Sequence, residues 1–207
     1  MSRLWIKVCG LRSASDVEAA VDAGADAVGL VFHPASPRHL TIAEAREVAS
    51  AVPPGVARVA VFLRPDPSEV AAIVRAISPD FVQADRASLA ALGPDLAARS
   101  LPVLRDAEPV ADPLPPLLLY EGENSGAGRR ADWSRAAAIA ARTRLVLAGG
   151  LDARCVGDAI RTVRPYGVDV SSGVEATRGV KDPGMIHEFV EAARSAERAL
   201  DAEEIHR

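Results

Sequence analysis

The chain has 207 residues, a length that suits one domain and, at its lower end, an α/β barrel. Nearly half of it is hydrophobic and aromatics make up only 4 %, so the core is expected to be large and aliphatic. A net charge of −4 argues against a general nucleic-acid or membrane-surface role, and no run of about 18 apolar residues suggests a membrane span.

Met1 to Lys7 is too short and too charged for a signal peptide, and the stretch leads into a first strand at Ile6–Cys9. Ser15 and Asp16 open a helix that runs through Ala23 and stops at Gly24. Ala27–Phe32 reads as the second strand. Thr41 and Glu44 form a capping box for the second helix, which Pro53-Pro54-Gly55 ends. The third strand is expected over Ala57–Leu63, and Ser68 is expected to cap a helix through Ile77. Phe81–Gln83 is the fourth strand, followed by a short helix from Ser88, and Pro102–Arg105 is the fifth. Pro109, Pro113, Pro115 and Pro116 then crowd one short segment, and proline inside a helix costs about 3 kcal/mol or more, so no regular fifth helix is expected. Leu117–Tyr120 is the sixth strand, with a helix from Trp133 to Ala141 capped by Asp132. Leu145–Ala148 is the seventh strand, with Asp152 as the cap of the next helix. Val168–Val170 is the eighth, and Asp182-Pro183 opens the last helix, Asp as cap and Pro at the first helical position. The charged tail beyond about Leu200 is expected to fray.

Repeated strand–helix alternation points to parallel strands with crossover helices. Eight units imply a single (β/α)₈ barrel over residues 1–207. An open doubly wound sheet is the rival, weakened because no Gly-x-Gly-x-x-Gly follows the first strand.

Barrel chemistry lies at the carboxyl ends of the strands. Cys9 closes the first strand. A thiol serves as a base only if its pKa is brought down, and Lys7 or Arg38 are candidate cations for that. Cys155, in the seventh helix, reads as structural. The two cysteines match no metal spacing, and with no export signal the expected compartment is the reducing cytoplasm. Glu121 closes the sixth strand as a candidate acid, and the basic loop 124–130 beyond it is a candidate cover for a substrate. Arg38, held by Pro37, suits a carboxylate. Gly149 and Gly150 after the seventh strand, and Ser171, Ser172 and Gly173 after the eighth, suit a phosphate, because small residues let backbone amides approach an anion.

Lys7-Val8-Cys9-Gly10-Leu11, the block from Gly24 to Phe32 followed by Ser36-Pro37-Arg38, Leu147 to Leu151, Asp169 to Glu175, and Gly179 to Asp182 together resemble the phosphoribosylanthranilate isomerase family of tryptophan biosynthesis. The resemblance implies a (β/α)₈ barrel that carries out an Amadori rearrangement of a phosphorylated small molecule, with no metal and no organic cofactor. It implies Cys9 as general base, Arg38 beside the anthranilate carboxylate, Gln83 and Asp169 as further substrate contacts, and the loops at Gly149, Gly150, Ser171, Ser172 and Gly173 as the phosphate grip. It also implies a monomer or homodimer without nucleic-acid or membrane partners. Two positions depart from the family pattern: Glu121 stands where the family has its acidic aspartate, and Asp85 where it has a histidine. The alternative they leave open is a paralogue acting on a related phosphosugar amine, or a ligand-binding barrel with little catalysis.

Overall fold

The computed structural model describes residues 3–123 and 130–205. Eight parallel strands close on themselves in sequence order: β1 (Trp5–Cys9), β2 (Ala27–Val31), β3 (Ala57–Val61), β4 (Phe81–Asp85), β5 (Ser100–Arg105), β6 (Leu117–Glu121), β7 (Arg144–Leu147) and β8 (Gly167–Val170). The expected barrel is therefore present, and the open-sheet rival is excluded, because β8 pairs directly with β1.

Around the barrel lie α1 (Ala14–Ala23), α2 (Ile42–Ser50), α3 (Pro67–Ile77), the short α4 (Arg86–Ala90) and α5 (Pro94–Ala97), α6 (Trp133–Ala140), α7 (Val156–Val163) and α8 (Pro183–Ile205). No helix joins β5 to β6, as the prolines dictate. Helix starts are where local reading slipped. Ser13, not Ser15 or Asp16, caps α1 by accepting from the Asp16 amide. Asp66 caps α3, with Pro67 as its first residue, so Ser68 lies inside the helix. Asp152 holds a turn ahead of α7 by accepting from the Arg154 and Cys155 amides, and the helix itself starts at Val156. The Thr41–Glu44 box is complete in both directions. Leu200 is buried in the core, and α8 continues to Ile205.

A strand turns successive side chains to opposite faces. The outward set, including Ile6, Val8, Leu30, Leu118 and Tyr120, packs under the helices as the main core. The inward set forms a second, smaller cluster of Ala27, Val59, Leu101, Val103, Leu119, Val146 and Ala148. Trp5, Phe81 and Tyr166 pack beneath it, with Trp5 edge-on to Phe81 at 6.2 Å and stacked on Tyr166 at 6.5 Å. The amino end of the lumen is thus plugged by aromatic rings, and access is left to the carboxyl end. There a small antiparallel hairpin, β9 (Glu175–Thr177) with β10 (Val180–Lys181), follows β8.

Candidate active site

The same period of two decides which polar side chains reach the lumen. Lys7 and Cys9 share the inner face of β1, Gln83 lies on that of β4, Arg105 on β5, Glu121 on β6 and Asp169 on β8. Apart from the wholly buried Lys7, these side chains line a cavity of about 270 Å³ at the carboxyl end, joined there by Arg38. Gly149, Gly150, Ser171 and Ser172 line it too. Of the residues expected from the sequence, only Gly173 stands back from it. A side-chain carbon there would come within 2.0 Å of the Leu151 carbonyl oxygen, so this glycine serves the close packing of the β8 loop on the β7 loop.

Cys9 is buried and in no disulfide. Its space comes from the neighbouring strand: Gly29 is its register partner, and a Cβ at Gly29 would sit 2.7 Å from Sγ. Burial pushes the thiol above its ordinary pKa, while Lys7 and Lys181 pull the other way. The depressed thiol expected from nearby cations is therefore not met, because desolvation outweighs them. Lys7 is wholly buried, and its Nζ donates to Asp169 Oδ1 at 2.7 Å. Burial works against that ammonium, but Asp169 and Cys9 outweigh it and hold Lys7 in its charged form.

Arg38 does find a bidentate carboxylate partner, but within the chain. Its Nε and Nη2 donate to Glu175 Oε1 and Oε2 at 2.6 and 2.9 Å. Glu175 also accepts from Lys181 Nζ at 2.8 Å and from the Gly179 amide at 3.0 Å. These donors overcome its burial and hold its pKa at about 2. Gly10 seats the arginine: its φ of 81° is left-handed, and a Cβ there would fall 2.4 Å from Arg38 Cδ. Glu175 and Lys181 appear in the sequence only as part of a matching block. Their partners lie on other elements, and nothing local in the chain marks them as a cluster.

Glu121 faces Arg105, its register partner on β5, whose Nε lies 3.3 Å from Oε1. Arg105 escaped sequence reading, although its place at the end of β5 is the signal that would have found it. Gln83 is buried, and its Oε1 has no hydrogen-bond partner among the described residues. Asp85 caps α4 by accepting from the Ser88 amide at 3.0 Å and also accepts from the Arg64 amide, so its side chain is occupied in the backbone there. In the β7 loop Gly149 and Gly150 both have positive φ, 88° and 67°, a conformation open to glycine. In the β8 loop the Ser171 hydroxyl donates to the Cys9 carbonyl at 3.0 Å, and Ser172 begins a 3-10 turn through Val174. Residues 124–129 of the expected basic loop lie outside the described residues, and Arg130 stacks on the Trp133 ring. Cys155 is half-buried and bonded to the β7 loop through its Sγ, consistent with a structural thiol. No group of three potential ligands suited to a metal occurs among the described residues, and none of their helices is long and apolar enough to cross a membrane.

A closed parallel barrel with a thiol, a carboxylate, a glycine loop after β7 and a serine–glycine loop after β8 gathered at one end defines a (β/α)₈-barrel enzyme. Comparison with known proteins narrows this. Residues 6–192 match the model of the N-(5′-phosphoribosyl)anthranilate isomerase family. An N-(5′-phosphoribosyl)anthranilate isomerase of Methylibium petroleiphilum is 41 % identical, the match covering 98 % of this chain and 100 % of that protein. Among solved structures, the phosphoribosyl anthranilate isomerase from Thermotoga maritima superposes with a TM-score of 0.80 at 32 % identity, covering 93 % of this chain and 100 % of that one. So does a phosphoribosyl anthranilate isomerase in complex with reduced 1-(o-carboxyphenylamino)-1-deoxyribulose 5-phosphate, at a TM-score of 0.78, 32 % identity and the same coverage. The chain belongs to the phosphoribosylanthranilate isomerase family, and it is an isomerase.

Proposed function

We propose that the protein converts N-(5′-phosphoribosyl)anthranilate to 1-(2-carboxyphenylamino)-1-deoxyribulose 5-phosphate in the cytoplasm, with Cys9 as general base and Glu121 as general acid. The observation that carries this is the meeting of a β1 thiol and a β6 carboxylate in one cavity closed at its other end. Glu121 protonates the ribose ring oxygen. The C1′–O bond breaks and the nitrogen lone pair forms an iminium. The Cys9 thiolate then removes the C2′ proton, and that electron pair forms the C1′–C2′ double bond of an enolamine. The iminium acidifies the C–H and brings a positive charge beside the sulfur, so a weak base suffices. Tautomerisation to the ketone completes the reaction.

Glu121 is one methylene longer than the family's aspartate, and Arg105 gives the longer arm a fixed partner. The free Gln83 Oε1 suits a sugar hydroxyl, because a buried acceptor without a donor is costly. Asp169 touches the sugar only from its place on Lys7. With one edge of Arg38 held by Glu175, the anthranilate carboxylate approaches the remaining guanidinium face. The amides around Gly149, Gly150, Ser171 and Ser172 are the grip for the 5′-phosphate, with Gly173 seating the β8 loop against the β7 loop. Family membership supports the whole assignment.

A direct assay with freshly prepared phosphoribosylanthranilate tests it. Cys9→Ala and Glu121→Gln each lower kcat by about 100-fold or more, the ordinary worth of a positioned acid or base, with melting temperatures near wild type. Near wild-type rates in both variants refute the roles. No turnover by soluble wild-type protein favours a different phosphosugar amine.

A further inference from the structure

The lumen holds a buried ion pair beside Cys9. Lys7 Nζ and Asp169 Oδ1 lie 2.7 Å apart, with their side chains 0 % and 9 % exposed. They are register partners across the seam where β8 closes on β1. Taking two charges out of water is costly for each ion, and an apolar pair of similar volume is often no less stable. The rest of the lumen shows that apolar filling was available: Ala27, Val59, Leu101, Val103, Leu119 and Val146 supply it. The pair stands one inward step along β1 from Cys9, since Lys7 and Cys9 are two residues apart on the same face.

The charge balance around the thiol points the same way. Lys7 comes from β1, Asp169 from β8, Glu175 from β9, Lys181 from β10 and Arg38 from the loop after β2. Three cations thus face two carboxylates. Glu175 is shared between Arg38 and Lys181, and Asp169 is given to Lys7. The group is one negative charge short, and a thiolate at Cys9 supplies it.

We propose that Lys7, held by Asp169, is a positioning residue for the reaction: its ammonium is the fixed counter-charge that lets the buried Cys9 thiol give up its proton. This rests on the reading of Cys9 as the base. The thiol proton leaves to solvent through the open mouth, the thiolate stays beside Lys7, and it then takes the C2′ proton. Lys7 gives up no proton and touches no reacting atom. Asp169 keeps the ammonium charged and directed. Burial holds the Cys9 thiol up, and Lys7 and Lys181 work against that burial, so removing Lys7 pushes the thiol higher still.

The test is the pH dependence of Cys9 alkylation by iodoacetamide in the whole protein, followed by mass spectrometry at Cys9 so that Cys155 does not contribute. Lys7→Met is expected to slow alkylation at neutral pH by about tenfold or more, the thiolate lost when a thiol pKa rises by one unit. kcat/KM at neutral pH falls in parallel. Lys7→Met leaves Asp169 buried alone and so threatens folding. The double variant Lys7→Met/Asp169→Leu removes both charges and is expected to recover the melting temperature without recovering alkylation or turnover. A double variant with wild-type alkylation and wild-type kcat overturns the proposal and makes the pair structural. Alkylation does not depend on turnover. A shifted alkylation profile together with a fully active Cys9→Ala variant therefore sinks the base assignment and leaves the Lys7 effect standing.

Discussion

Glu175→Gln removes one negative charge and leaves the shape of the side chain almost unchanged. In the native protein that carboxylate, 3 % exposed, accepts from Arg38 Nε and Nη2, Lys181 Nζ and the Gly179 amide at 2.6 to 3.0 Å. The amide leaves two buried cations close together, and Arg38 already works against the Lys181 charge. Removing one partner from a buried ion group costs about 3–5 kcal/mol. At roughly 2–4 °C per kcal/mol for a chain of this length, the melting temperature falls by on the order of 10 °C. The pH dependence follows from linkage. The folded-state pKa is depressed from 4.5 to about 2, so this stabilisation is complete above the unfolded value and drains away as pH falls from about 4.5 towards 2. Urea midpoints from pH 6 down to 3 should fall steeply for the wild type and less steeply for Glu175→Gln. A variant that melts within about 2 °C of wild type at pH 7, with the same acid slope, refutes the view that Glu175 ties the hairpin to Arg38.

Two further substitutions probe the site and the scaffold separately. Gly29→Ala places a carbon 2.7 Å from Cys9 Sγ and should lower kcat by about 10- to 100-fold through displacement of the thiol, with KM little changed; an unchanged kcat denies that Gly29 makes room for a working thiol. Thr41→Ala breaks the capping box of α2 and should cost about 1 kcal/mol and a few degrees in melting temperature, with turnover intact; a loss of activity would mean that this exposed cap reaches the site.

The barrel was legible because its signals are local and repeat. β-branched runs, Gly24 at a helix end, the Thr41 box and the proline cluster each act over a few residues, and they agreed with one another. Helix starts were less secure, since neighbouring polar residues compete for the cap: Ser13 won over Ser15, and the Asp66-Pro67 pair carries the same signature as Asp182-Pro183. The cavity lining followed from strand ends. What stayed out of reach was pairing across the barrel. Lys7 and Asp169 are 162 positions apart, and Arg38 and Glu175 are 137 apart. Only closure of the sheet brings them together, so the sequence showed Arg38 as open to a ligand when one edge is occupied. Asp85, conspicuous as a departure from the family histidine, turned out to serve its own backbone.

The proposed roles set Cys9 and Glu121 on one sugar from two sides of the mouth. A crystal structure with the reduced product analogue measures this most directly. It should place a Glu121 carboxylate oxygen within hydrogen-bond distance of the oxygen derived from the ribose ring, about 2.5–3.2 Å, and Cys9 Sγ against C2′. An analogue bound with its sugar away from both side chains, and Glu121 still directed only at Arg105, would contradict the account.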